Sequence, residues 1–290
     1  MLYGIGTDVS KANTMEEALQ IAGLDWTVEP KAVVVDGKEI QGLQANMTNE
    51  GKFLGIVSNK YKIVNNMEAF SFADSLIGEI QLDTAGSLFE DKKIWVAAKF
   101  NDIDLAGQKF ENYLVFTNSH DGKSSIRAAI IPILTNGYPL NLPLNKKRNW
   151  SITHSGNIDK KMEQAAETIK LAEDYLAELV RQTDKMVSTK ISEKQLDAFI
   201  EQLFPIKPQD GDRRIDNIVE TRNAAKGYIN KITNNVGTAW QVINGISAYI
   251  SNSNAKRSSD TFEKNKLNNY IVGHYLLDEA YKILKINYIK

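Results

Sequence analysis

The apolar residues of this chain change their spacing near Pro143, and that change limits the fold more than any other feature. A repeat of two places successive side chains on opposite faces of a strand, whereas a repeat of 3.6 lines one face of a helix. Between Asp25 and about Phe116 the segments "DWTVEPKAVVV", "KFLGIVSN", "KIWVAAKF" and "ENYLVFTN" alternate or form short β-branched runs, so they read as strands. Asp36-Gly37, Asn49-Glu50-Gly51 and Ala106-Gly107 separate them, and Asp-Gly is the strongest short hairpin signal among these. Two helices interrupt the strands. The first spans 14–21, with Thr14 and Glu17 as a capping box and Gly23 beyond its end. The second, "NNMEAFSFADSLIG", has Asn66 as cap and Gly78 as stop.

Beyond Pro143, Ile158, Met162, Ala165, Ile169, Ala172, Leu176 and Leu179 recur at three- and four-residue steps, which predicts one long amphipathic helix over 158–187. Ser192 and Gln195 form a capping box before "LDAFIEQLF", which Pro205 and Pro208 terminate. Further helices are predicted at 212–234, 237–251 and 261–285, the last with His274 on its apolar face as a core residue. The fold class is therefore α+β: a mostly antiparallel sheet with two helices in the N-terminal half and a helical C-terminal half. The expected division is a β-rich α+β domain over 1–150 and a helical region over 151–290, packed on the first or forming a separate domain.

Of the 290 residues 42% are apolar, enough for a substantial core. Thirty-five Lys and Arg stand against 36 Asp and Glu, a formal charge of −1, so contact with a polyanion has to come from local clustering of cations. The chain has no cysteine, which excludes disulfides, thiolate nucleophiles and cysteine metal sites and fits a reducing compartment. Three histidines leave little for metal binding. No basic, apolar leader is visible, and no stretch approaches the roughly 18 apolar residues of a spanning helix. A soluble cytoplasmic protein without membrane contact is expected.

Chemistry-bearing residues concentrate in "TNSHDGKSS", residues 117–125. Asn118, Asp121 and Gly122 are turn formers through side-chain-to-backbone bonds and positive φ, so the favoured reading is a structural hairpin loop containing Asn118, His120, Asp121 and Gly122. The sharper reading makes His120 a general base oriented by Asp121, with Ser119, Ser124 or Ser125 as nucleophile. Adjacent residues on an extended chain point to opposite sides, however, and no G-x-S-x-G elbow frames a serine. A metal triad of His120, Asp121 and His154 has no chelating spacing behind it. "GIGTDVSK" lacks the second half of either phosphate-loop pattern. No catalytic residue, metal or cofactor is assigned.

Basic clusters carry more weight. Lys60 and Lys62 flank Tyr61, Lys123 and Arg127 flank the loop, Lys146, Lys147 and Arg148 precede Trp150, and Lys256 and Arg257 lie between the last two helices. Cations beside aromatic rings are the composition of a single-strand groove, although charge runs are more commonly solvated faces, and Asp159, Asp260 and Glu263 dilute these.

The segments "LGIVSNKYKIVNNMEAFSFADSLI", "LDTAGSLFEDKKIWVAAKF", "YLVFTNSHDGKSSIRAAIIPI", "ITHSGNI" and "GTAWQVINGISAYI" resemble, in order and spacing over nearly the whole chain, the phage/plasmid-like protein family (domain of unknown function 932). Its hallmarks match Gly4-Ile5-Gly6-Thr7, the strand from Leu54 to Tyr61, a turn at Thr84 to Leu88, Asn118 to Gly122, His154, and Gly237 to Trp240. Two departures stand out. "IPILTNGYPLNL" lacks the family's arginine and cysteine, and Ser251-Asn252 replaces an Asp-His pair, which removes two titratable groups.

The resemblance implies a mobile-element setting without supplying an activity. The leading expectation within it is a DNA-transaction protein, a single-stranded DNA-binding or annealing factor that acts as a homo-oligomer without catalysis. It would contact phosphates through Lys60, Lys62, Lys123, Arg127, Lys146, Lys147, Arg148, Lys256 and Arg257. A phage protein that binds a host defence protein through its long helices is the alternative, and a metal-dependent or serine hydrolase ranks third.

Overall fold

Turn geometry sets the strand layout. Asp36 and Gly37 have φ of 51° and 76°, and Ala106 and Gly107 have φ of 55° and 74°. Two consecutive positive φ values are the two-residue hairpin turn whose twist matches that of its flanking strands. The computed structural model describes residues 5–135, 138–145, 147–155, 167–233, 237–253, 265 and 268–289. The first part of the predicted 158–187 helix, residues 261–264, 266 and 267 of the predicted 261–285 helix, and Lys146, Lys256 and Arg257 lie outside them.

Among the described residues the strands are β1 (Thr7–Asp8), β2 (Val28–Val35), β3 (Lys38–Thr48), β4 (Phe53–Ser58), β5 (Gln81–Leu88), β6 (Lys93–Leu105), β7 (Gln108–Ser119), β8 (Ile126–Leu134) and β9 (Asn149–Ile152). They form two antiparallel sheets, one ordered β1-β5-β6-β7-β8-β9 and the other β2-β3-β4. The helices are α1 (Met15–Ile21), α2 (Asn66–Phe70) with a following 3-10 segment (Ser71–Leu76), α3 (Thr168–Ser188), α4 (Glu193–Leu203), α5 (Asp212–Thr233), α6 (Ala239–Asn252) and α7 (Tyr275–Asn287). Strands thus dominate the N-terminal part and helices the C-terminal part, the predicted α+β class. No helix among the described residues is long and apolar enough to cross a membrane.

The caps at Thr14 and Ser192 form as predicted, the latter with both halves of its box, and a further box forms at Thr238 and Gln241. Three local expectations are corrected. Asn65, not Asn66, precedes α2, and the Asn65 carboxamide oxygen accepts from the Val28 amide at 2.7 Å. "TAGSL" is strand β5 rather than a turn: Gly86 lies against the fully buried Trp95 indole, where a Cβ would come within 2.9 Å of Cζ2. The glycine is there for close packing. The last helix is interrupted at Gly273, φ 94°, and His274 is the half-buried N-cap of α7 rather than a core residue, its Nδ1 accepting from the Leu276 amide at 3.2 Å. That bond satisfies one of the orphan donors of a helix start.

The chain divides into two compact units that interleave along the sequence. The first comprises Met1–Asn101, Asn112–Ile130 and Asn149–Glu173, and the second Asp102–Glu111, Ile131–Arg148 and Asp174–Lys290. In the first, Leu19, Leu54, Phe70, Trp95 and Phe116 are fully buried. "KIWVAAKF" and "NYLVFTNS" are buried almost without alternation, the mark of strands covered on both faces. In the second, Arg148 makes a two-pronged ion pair with Asp278 at 2.7 and 2.8 Å and donates to the Asn141 carbonyl at 2.7 Å, while the Tyr175 hydroxyl donates to the Leu142 carbonyl.

Candidate functional site

The C-terminal end of β7 carries polar residues into the interior of the first unit. Asn118, Ser119 and His120 are 0%, 1% and 0% exposed. The backbone of His120 is held on both sides: its N–H donates to the Lys92 carbonyl at 2.9 Å, and its carbonyl accepts from the Asn46 carboxamide at 2.7 Å. Its ring meets Asn66, with Nε2 2.9 Å from Asn66 Oδ1. Because Asn66 Nδ2 donates to the Leu24 carbonyl and Oδ1 also accepts from Asn118 Nδ2, Oδ1 is an acceptor. His120 Nε2 therefore carries the proton, and Nδ1 presents a lone pair. That Nδ1 is buried without a hydrogen-bond partner among the described residues. Burial pushes the His120 pKa down to about 3, the neighbouring His154 acting in the same direction and Asp121 against it.

His154 shows the complementary tautomer. Its Nδ1 lies 3.2 Å from the Lys62 carbonyl, an acceptor, so Nδ1 is protonated, and the buried Nε2 has no hydrogen-bond partner among the described residues. Burial lowers its pKa as well. The Tyr61 ring stacks on it with centroids 4.6 Å apart at 15°, and the Tyr61 hydroxyl donates to the Ser119 carbonyl at 2.6 Å. Tyr61 thereby ties the segment after β4 to the end of β7 and brings Lys60 and Lys62, both exposed, beside the loop that carries Lys123. Burial and Asp121 raise the tyrosine pKa, so the phenol stays protonated.

The loop itself is a turn held by Asp121. Its Oδ1 accepts from the Ser119 hydroxyl at 2.7 Å and from the Lys123 amide at 3.0 Å, and Gly122 has φ 74°. Gly55 in β4 packs against it, where a Cβ would sit 2.9 Å from Asp121 Cα. The Ser119 hydroxyl is committed to Asp121, and the His120 ring bonds to the Asn66 amide rather than to a carboxylate. Neither bond of a Ser–His–Asp relay is formed.

On the neighbouring strand, Lys93 opens β6 and is only 5% exposed. Its pKa is lowered to about 8, first by burial and then by the Arg127 guanidinium, with Asp121 opposing. The turn before it is unusual: Phe89, Glu90 and Asp91 have φ of 56°, 60° and 66°. Each left-handed residue that is not glycine costs about 1–2 kcal/mol. The Asp91 carboxylate, accepting from Ser87 Oγ and Lys52 Nζ, holds the turn closed.

Of the nine predicted phosphate-contacting residues, Lys60, Lys62, Lys123 and Arg127 lie in the first unit, Lys60 and Lys62 on either side of Tyr61, Arg127 in β8, and Lys123 with a side chain 83% exposed and its ammonium 4.0 Å from Asp121. Lys147 is exposed in the second unit, where the Arg148 guanidinium is committed to Asp278. Lys146, Lys256 and Arg257 fall outside the described residues. Sequence reasoning missed Lys93, which reads as an ordinary strand start, and the interior role of Asn66. Among the described residues no group of three or more His, Cys, Asp or Glu side chains is arranged to hold a metal ion.

The family model "Domain of unknown function (DUF932)" matches residues 53–272, most of the chain and nearly all of this site. The chain belongs to the DUF932 family. No curated protein and no solved structure matches it. The matched DUF932 region begins at the first residue of β4 and includes Tyr61, Asn66, Lys93, the 117–125 loop, Arg127 and His154, whereas α1 and the β2–β3 hairpin precede it.

Proposed function

We propose that this DUF932 protein binds single-stranded nucleic acid through the rim formed by Lys60, Lys62, Lys123 and Arg127, without catalysis. The observation that carries the reading is the Tyr61 hydroxyl bond to Ser119, which joins two cation-bearing loops that are 58 residues apart in sequence. Cations on such a rim track phosphates, and aromatic rings between them offer stacking surfaces to bases. The buried residues behind the rim fix its shape. His120 and Asn118 are engaged with Asn66, and Asp121 closes the loop that holds Lys123. With a net charge of −1 the protein has no long-range attraction for a polyanion, so binding is modest and strongly salt-dependent. The setting that suits this activity is a phage- or plasmid-encoded DNA transaction in the host cytoplasm, such as strand annealing by a homo-oligomer.

Fluorescence anisotropy with labelled single- and double-stranded oligonucleotides, at low and moderate salt, tests the reading. Saturable binding with preference for the single strand supports it, and no binding at micromolar protein removes it.

A second reading, a factor that binds a host protein, is favoured by α7. Tyr275 and Ile286 are 74% and 71% exposed and lie eleven residues apart, so they share one face of that helix. Substituting both with Lys leaves oligonucleotide binding unchanged and abolishes capture of a host protein if this face is the contact.

A further inference from the structure

We propose that the outer face of the β2-β3-β4 sheet, together with the arm that extends from it, is the contact surface for a second copy of this chain. The inference concerns self-association and does not rest on the nucleic-acid reading. Directly opposite residues of antiparallel strands share a face. One face, set by Val28 opposite Thr48 and Asn46 opposite Gly55, is turned into the first unit: Val28, Asn46 and Thr48 are buried, and Gly55 lies against Asp121. The other face, set by Met47 opposite Phe53, Ala45 opposite Ile56 and Leu43 opposite Ser58, meets water. Phe53, Ile56 and Leu43 are 49%, 50% and 41% exposed there. A register shift beside Met47 leaves the fully buried Leu54 as the extra residue, so Phe53 and Ile56 share the outer face although they are three positions apart.

The register between β3 and β4 ends at Leu43, and the β2–β3 hairpin continues past it as a two-stranded arm. Every residue from Val34 to Leu43 is exposed, with Val34, Val35 and Ile40 at 58%, 54% and 37%. A two-stranded hairpin alone is marginal in water and gains stability when an apolar face is packed. β2 is also an edge of its sheet, and an apolar β-branched run on an edge invites open-ended strand pairing. This edge is guarded against it. Pro30 has no N–H to offer, Lys31 carries charge, and the register shifts between Ala32 and Val34. The exposed apolar side chains are therefore placed for face-to-face packing rather than for strand addition.

Area and charge select a copy of the chain as the occupant. At these exposures the six side chains leave on the order of 500 Å² of apolar surface in water, more than half of the roughly 800 Å² per partner of a standard interface, before the polar groups between them are added. The charges are mixed. Residues 29–58 include three Lys and four Asp or Glu, and Glu29 pairs with Lys31 at 3.0 Å. A surface with both signs in near balance can meet itself about a twofold axis, acid to base. To a polyanion or an anionic membrane it presents more carboxylates than ammonium groups, which disfavours either as the occupant.

Sedimentation velocity of the full chain without nucleic acid, up to roughly 100 μM, reads the self-association. Wild type is expected to dimerise. Val34→Lys with Ile40→Lys on the arm, and Ile56→Lys on the face, are each expected to weaken the dimer by about a hundredfold or more, because a twofold contact counts every substitution twice. Tyr275→Lys with Ile286→Lys on α7 is the control and is expected to leave the dimer unchanged. Circular dichroism establishes that each variant is folded, and hydrogen exchange of wild type needs no substitution: residues 34–58 gain protection as the concentration rises through the transition. The proposal is overturned if wild type stays monomeric, if the folded arm and face variants dimerise as wild type does, or if protection rises with concentration only outside residues 34–58. A monomer in which a different protein protects that segment overturns it too and assigns the face to that partner. A dimer without oligonucleotide binding keeps the interface and removes the nucleic-acid reading, and oligonucleotide binding by a monomer does the reverse.

Discussion

Tyr61 lies flat on His154, ring centroids 4.6 Å apart, and at the far end of the same ring its hydroxyl donates to the Ser119 carbonyl. One side chain thus joins three segments of the DUF932 region. Tyr61→Phe removes the hydrogen bond alone and is expected to cost about 1 kcal/mol in urea unfolding. Tyr61→Ala also removes the stack and is expected to cost about 3 kcal/mol. It should weaken oligonucleotide binding although no cation is lost. Binding unchanged in a folded Tyr61→Ala variant means that the two loops do not act as one surface.

Acid stability tests the buried imidazoles. Folded His120 resists protonation down to about pH 3, whereas an unfolded histidine takes up its proton near 6.5. Between these values the unfolded chain binds more protons, so stability falls as pH drops through the window, and His154, also lowered, adds in the same direction. His120→Gln keeps a donor for Asn66 and lacks the titration. The stability gap between wild type and this variant, from urea unfolding, is expected to shrink by on the order of a few kcal/mol between pH 7 and 4. A constant gap means His120 is not held neutral.

Gly55 bears on loop position. Alanine there brings Cβ against the Asp121 backbone, which has to move and carry Lys123 with it. Gly55→Ala is expected to destabilise by about 1–3 kcal/mol and to weaken oligonucleotide binding together. Gly211→Ala, with nothing within 4 Å of its Cβ, is the control, expected within about 0.5 kcal/mol of wild type.

Arg148 separates a structural cation from a ligand-facing one. Arg148→Met strips Asp278 and the Asn141 carbonyl of their donor, with an expected loss of about 1–3 kcal/mol and unchanged oligonucleotide affinity in the folded protein. Unchanged stability with weakened binding would instead assign Arg148 to the interface.

The sequence showed those parts of the fold whose cause is local. Asp36-Gly37 and Ala106-Gly107 announce hairpins because the turn demands positive φ from those residues, and Ser192 with Gln195 announces a helix because the box is complete within four residues. Strand β3 was hidden because its first six residues are all exposed, so no alternation records a buried face. "TAGSL" misled because its glycine answers to Trp95 on the next strand, a tertiary cause with a turn-like signature. The site was half visible for the same reason. Asp121 and Gly122 make a local turn, but the partner of His120 is Asn66, 54 residues away, and Lys93 gains its environment only from neighbouring strands.

The salt dependence of oligonucleotide binding tests the central claim most directly. Each phosphate contact to a single strand contributes about −0.7 to the slope of log affinity against log salt, so Lys60→Ala, Lys62→Ala and Lys123→Ala combined should reduce its magnitude by about 2 and weaken binding at low salt. A folded triple variant with the wild-type slope and affinity would contradict the account, because the rim could then not be the surface that meets the phosphates.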